Sequence, residues 1–172
     1  MTLFNPYALR AALPHGSRIL GIDPGQKTIG IALSDVTLML ASPYRSVKRR
    51  KFAETLDELA RIVRKEDVGG LVSGLPLSLD GSFGPAARAA QDWMTELSAR
   101  LALPACCWDE RLSSSAVNRF LIREADMTRR RRAEVVDKMA AAYTLQSWLD
   151  ATAHADQDPS EDPGEAEAPP RI

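Results

Sequence analysis

Apolar positions along the chain fall into short runs separated by turn residues, and in two stretches they recur at helical spacing. Arg18 to Asp23 and Thr28 to Ser34 are aliphatic and β-branched, divided by Pro24-Gly25, and predict a hairpin of two strands. Part of Leu38 to Val47 predicts a third strand, which Pro43 confines to a sheet edge. Phe52, Leu56, Leu59, Ile62 and Val63 repeat with the period of a helix over Lys51 to Lys65. Val68 to Ser73 reads as a short buried strand, followed by a loop from Gly74 to Ser82. Ala86, Ala89, Ala90, Trp93, Leu97 and Leu101 form the apolar stripe of a second helix, Pro85 to Leu101, and Ala105 to Trp108 is a last short strand. Beyond it the pattern predicts a helix capped by Ser113 or Ser114 and running to about Glu124, a basic loop, and a final helix from about Ala133 to Leu149. A meander followed by strands alternating with helices argues for an α/β fold, a mixed sheet with helices on both faces.

Residues 1–17, punctuated by Pro6, Pro14 and Gly16, read as an irregular N-terminal extension, and residues 18–150 as a single domain. Residues 151–172 carry six acids against one arginine and are rich in Pro and Ala, which predicts a disordered acidic tail. That tail changes the picture of the charge. The whole chain of 172 residues has a net charge of −1, yet the remainder holds 21 basic and 17 acidic residues, compatible with a polyanionic partner. Cys106 and Cys107 are adjacent, so on a strand they point to opposite faces and suit free thiols in a reducing compartment. The first residues lack a secretory apolar core and no run reaches membrane-spanning length, so the expectation is a cytoplasmic protein without a membrane partner.

Three carboxylates stand on or beside predicted buried elements. Asp23 ends the first strand, where an apolar strand has no structural need of an acid, and Gly21, Gly25 and Gly30 surround it as a closely approached phosphate or metal requires. Asp109-Glu110-Arg111 lies between the last strand and a helix; alternation lets at most one of its two acids point with Asp23. Asp137 sits in the final helix with the small residues Ala140, Ala141 and Thr144 on its own side. Such acids suit hard cations, Mg²⁺ or Mn²⁺, and the hydrolysis of a phosphodiester, whereas the two histidines, His15 and His154, lie outside the core and leave no basis for a zinc site. Asp80, in Leu-Asp-Gly-Ser, reads as a turn residue and a weaker candidate, and Asp35 as a strand end. Lys48-Arg49-Arg50-Lys51 and Arg129-Arg130-Arg131-Arg132 frame the acids; the second cluster, with Lys27 and Arg111 nearer in, is placed to hold phosphates. Trp93, Trp108 and Trp148 read as core residues before base-stacking ones.

Four ordered segments carry a likeness: Gly21-Ile22-Asp23-Pro24-Gly25 through Ile29-Gly30-Ile31-Ala32, Gly74-Leu75-Pro76 through Leu79-Asp80-Gly81-Ser82, Asp109-Glu110-Arg111-Leu112-Ser113, and Val136-Asp137 through Ala140-Ala141 and Leu145-Gln146. With them the chain resembles the bacterial YqgF/RuvX-type family of RuvC-like resolvases, over Arg18 to about Asp150. The resemblance implies an RNase H-like mixed five-stranded sheet, with Asp23 on the first strand and Asp137 on the last helix as metal ligands and Glu110 as the third acid. Related nucleases carry a glutamate at the end of the fourth strand, where this chain reads Ser73-Gly74-Leu75. The implied activity is maturation of the 5′ end of precursor 16S ribosomal RNA, with the assembling ribosome as a partner, or else cleavage of Holliday junctions in DNA. Two readings of other classes stay beside it. One is a binding module on the same fold that does not cut; the other is a sugar-kinase or actin-like ATPase, which needs a second domain for which this chain has no room. Monomer and homodimer are both compatible with the sequence.

Overall fold

The computed structural model describes residues 3–78, 80–109 and 129–154, with side chains of the last segment described from Val136 onward. The described residues form α1 (Pro6–Ala12), β1 (Arg18–Pro24), β2 (Thr28–Ser34), β3 (Ala41–Lys48), α2 (Phe52–Lys65), β4 (Val68–Leu75), α3 (Pro85–Leu101), β5 (Ala105–Asp109) and α4 (Arg129–Thr152). The strands make one mixed sheet in the order β3-β2-β1-β4-β5. β1 to β3 are antiparallel neighbours, while β4 runs parallel to both β1 and β5. β3, with its Pro43, lies at an edge as the sequence predicts.

Alternation along the strands sorts the core into two layers. Leu20, Ile22, Ile29, Ile31, Val47 and Leu71 pack with Leu59 and Ile62 of α2 and Met94 and Leu97 of α3. Ile19, Ala32, Val72 and Cys106 face the other way, onto Ala141, Leu145 and Trp148 of α4 and Leu9 of α1. Among the described residues no helix is long and apolar enough to cross a membrane.

Three expectations are corrected. The described part of the N-terminal segment, residues 3–17, is not an irregular extension: Asn5 caps α1 by accepting from the Tyr7 amide at 3.0 Å, and Pro6 takes the first helical position, where its missing N–H costs nothing. This helix is part of the domain. The Phe4 amide donates to the Ala105 carbonyl at 2.8 Å, and the Trp148 indole N–H donates to the Pro6 carbonyl at 2.9 Å. Arg129 to Arg132 are likewise not a loop but the opening of α4, consistent with arginine being a good helix former. At its other end α4 continues past Asp150 to a buried Thr152, so the domain boundary expected there falls inside the helix. The predicted helix from Ser113 or Ser114 to Glu124 and most of the acidic tail lie outside the described residues.

Arg10 joins the two terminal helices. It is only 7% exposed, and its guanidinium donates to the Leu149 carbonyl at 3.1 Å, the Thr152 hydroxyl at 3.2 Å and the Leu38 carbonyl at 3.3 Å. A cation at the C-terminal end of α4 also opposes the negative pole of that helix. Arg10→Ala strips buried carbonyls of their donor and is expected to cost about 2–3 kcal/mol, lowering the melting temperature by roughly 5–10 °C. Thermal denaturation checks this, and Arg10→Lys, lacking the planar fork, is expected to recover only part of the loss.

Candidate active site

Asp23 shares a face of β1 with Gly21, and its register partner on β2 is Gly30. Thr28, Gly30 and Ala32 line the same face of β2, the face covered by α4. α4 comes down on these two strands through glycines. A Cβ on Gly21 would stand 2.9 Å from the Leu145 Cβ and 3.2 Å from the Ala141 carbonyl oxygen. A Cβ on Gly30 would run into the Asp137 carbonyl and lie 2.9 Å from the Lys138 amide nitrogen. Asp137, Ala141 and Leu145 follow one another at intervals of four, so a single stripe of α4 rests on the hairpin and brings Asp137 to the strand pair that carries Asp23. Both acids are half-buried. The Thr28 hydroxyl donates to Oδ2 of Asp137, which fixes that carboxylate against β2.

The glycines therefore have a different role from the one the sequence suggests. Gly21 and Gly30 seat a helix rather than admit a phosphate, and Gly25 makes the β1–β2 turn, its amide donating to the Asp23 carbonyl at 3.0 Å. Thr28 is the residue that sequence reasoning missed. Its only signal was parity: it alternates with Gly30 and Ala32 on the strand next to Asp23.

Other candidates separate cleanly. Asp109 falls on the same face of β5 as Ala105 and Cys107, the α2–α3 side of the sheet, opposite to Asp23. Glu110 and Arg111 lie outside the described residues. Beside Asp23 on β4 the register brings Gly74, since Ile22 pairs with Ser73, so that strand offers no carboxylate there. Asp80 accepts from the Ser82 amide at 2.9 Å within a turn closed by Gly81. Lys27 is exposed in the β1–β2 turn. Among the described residues no three His, Cys, Asp or Glu side chains gather as a metal cluster. The pair Asp23 and Asp137 still suits Mg²⁺, which takes one or two protein carboxylates and completes its shell with water and phosphate oxygens.

Titration behaviour elsewhere does not compete with this site. Burial pushes the Cys106 thiol well above the usual range and Cys107 up to about 11, so both are protonated at neutral pH and are poor ligands or nucleophiles. At Asp35 burial acts to raise the pKa, but donors from Leu40, Thr37 and Met39 outweigh it and bring the carboxyl down to about 2. Its Oδ1 accepts from the Met39 and Leu40 amides at 2.8 and 3.0 Å, so the acid organises the β2–β3 loop. A cavity of about 710 Å³ between α1, Ser17 and that loop lies at the far end of the sheet and contains neither Asp23 nor Asp137.

The chain is similar to several known proteins. A protein of Gluconobacter oxydans named "Putative pre-16S rRNA nuclease" is 71% identical over 152 residues, covering 88% of this chain and 95% of that one. A protein of the same name from Rhodospirillum rubrum is 54% identical over 140 residues, 81% of this chain and 87% of its own. Among solved structures, Thermus thermophilus RuvC in complex with a Holliday junction substrate superposes with a TM-score of 0.51 at 12% identity, covering 81% of this chain and 97% of that one. At that identity the likeness concerns the fold, and it supports the RNase H-like sheet. The family model RuvX, described as Holliday junction resolvase, matches residues 17–151, from the residue before β1 to the last turn of α4. On that match and those identities, the chain belongs to the RuvX family of nucleases.

Proposed function

We propose that this protein is a divalent-metal-dependent nuclease of the cytoplasm that processes the 5′ end of precursor 16S ribosomal RNA. The observation that carries the reading is the seating of Asp137 on Gly30, the register partner of Asp23, with Thr28 holding its carboxylate. The RNA assignment follows the name borne by relatives 71% and 65% identical to this chain.

In this reading Asp23 and Asp137 would hold Mg²⁺ or Mn²⁺ through hard oxygen donors, with Glu110 as the third acid that the family resemblance implies; Asp109 faces the other side of the sheet. Bound there, the ions would supply Lewis acidity toward the phosphodiester. Thr28 removes the rotational freedom of the Asp137 carboxylate, so its oxygens need little rearrangement when the ions and the substrate arrive. Lys27, Arg111 and Arg129 to Arg132 hold the phosphates on either side of the scissile bond.

The test is cleavage by the purified protein with Mg²⁺ or Mn²⁺ on two substrates side by side, a precursor 16S 5′-end RNA and a four-way DNA junction. Cutting of the RNA alone supports the proposal. Cutting of the junction alone assigns the family's resolvase description to this chain, and cutting of neither favours a non-catalytic module. A second experiment addresses Thr28. Thr28→Val keeps the shape and removes the donor, and is expected to weaken Mn²⁺ binding about tenfold in isothermal titration, whereas Thr28→Ser restores it. Unchanged Mn²⁺ affinity in the valine variant would dismiss the role given to the hydroxyl.

A further inference from the structure

The basic run at the end of the edge strand is split by the sheet into two functions. Lys48 is the register partner of Thr28, and Val47 that of Ile29. Val47 is buried in the α2–α3 layer, so Lys48 extends from the opposite face, the one that carries Asp23, Thr28 and Asp137. Two inter-strand spacings and two residues along β3 separate it from Asp23, since Asp23, Gly30 and Ser46 lie in one row. Standard sheet spacings then put the two Cα atoms roughly 12 Å apart.

Arg49 turns the other way and is committed to structure. Its guanidinium carbon lies 5.6 Å from the centroid of the Trp93 ring, and Nη1 donates to the Gly25 carbonyl at 2.9 Å. Its amide donates to the Lys27 carbonyl at 2.9 Å. Arg49 thus ties the β1–β2 turn to the end of β3 and covers Trp93, which leaves that ring a packing surface. Lys27, Lys48, Arg50 and Lys51 are all exposed, and none of them forms an ion pair among the described residues.

We infer that Lys48, Arg50 and Lys51 form a phosphate track along the β3 edge, carrying the backbone of the nucleic-acid strand away from the acidic pair. The inference rests on the nuclease reading and extends it to the path of the substrate. Lys48 on the face of the two carboxylates, followed by the exposed Arg50 and Lys51 on the way into α2, makes a row of cations without ion pairs among the described residues, which suits a polyanion whose charges repeat along its length. A small anionic ligand would need converging groups in a cleft, whereas these residues lie along an open edge.

The experiment is the salt dependence of binding to fluorescein-labelled precursor 16S 5′-end RNA and to a labelled four-way DNA junction, in EDTA so that neither is cut. Lys48→Ala/Arg50→Ala/Lys51→Ala is compared with Arg61→Ala/Arg64→Ala/Lys65→Ala, which removes the same charge from the exposed far end of α2. Loss of the track is expected to reduce the slope of log K against log salt by about 2 and the affinity near 0.15 M salt by a few tens-fold, with little change in the control. Lys48→Glu alone is expected to act in the same direction, and unchanged melting temperatures confirm that these surface variants fold. Equal slopes in both triple variants and the parent, or no binding by the parent, overturn the track. Parallel cleavage assays of the parent with Mn²⁺ separate the two ideas: binding that depends on the track without any cutting removes the nuclease reading and leaves the track standing, and cutting with unchanged slopes does the reverse.

Discussion

Asp23→Asn is expected to lower phosphodiester cleavage by at least ~10³-fold while leaving the melting temperature within about 2 °C of the parent. The substitution is nearly isosteric and leaves the β1 backbone, with its Asp23–Gly30 register, in place. On the proposed function, what it would remove is an anionic oxygen donor to a hard cation. Loss of several kcal/mol of stabilisation of the attacking and leaving oxygens corresponds to a rate loss of that order, at about 1.4 kcal/mol per factor of ten. Single-turnover cleavage measures the loss, and titration with Mn²⁺ is expected to show weakened binding alongside it. An Asp23→Asn protein cutting at the parental rate would remove Asp23 from the catalytic machinery.

Gly30→Ala is expected to damage stability and activity together. The added methyl would meet the Asp137 carbonyl and, at 2.9 Å, the Lys138 amide nitrogen, both of them backbone atoms of a packed helix. Neither can swing aside as a flexible side chain does, so α4 must lift from the sheet. Overpacking of this kind costs about 3 kcal/mol, or roughly 10 °C in melting temperature for a domain of this size. The same lift moves Asp137 away from Thr28 and from the strand of Asp23, and a displacement of about 1 Å at a reacting centre can cost 10²-fold in rate. Gly84→Ala is the control, because a Cβ there meets only the Ser78 hydroxyl oxygen, at 3.9 Å. A Gly30→Ala protein that melts and cuts like the parent would contradict the seating of α4.

Much of this could be read from the chain because local chemistry and global fold agree there. Pro24-Gly25 between two aliphatic runs gives the β1–β2 hairpin, and Pro85 at the first position of α3 gives that helix its start. The same reasoning failed at Pro6, taken as a breaker although Asn5 before it is a cap and Leu9 after it is buried against α4. Asp23 and Asp137 were recognisable as acids on buried elements. That Thr28 holds one of them was not, because the contact depends on where a helix far along the chain crosses the hairpin. The glycines were noticed for the right reason, close approach, and assigned the wrong visitor: a helix backbone occupies the space expected for a phosphate.

The acid pair is drawn from the first strand and from the last described helix, and Asp137 reaches the hairpin that carries Asp23 because α4 rests on Gly21 and Gly30. A growing chain therefore carries Asp23 from the outset and lacks its counterpart until α4 has been made and docked. On the proposed function, partly synthesised or partly unfolded molecules would hold half of the pair, so this topology would keep cleavage latent until the domain is complete, without any inhibitor to release.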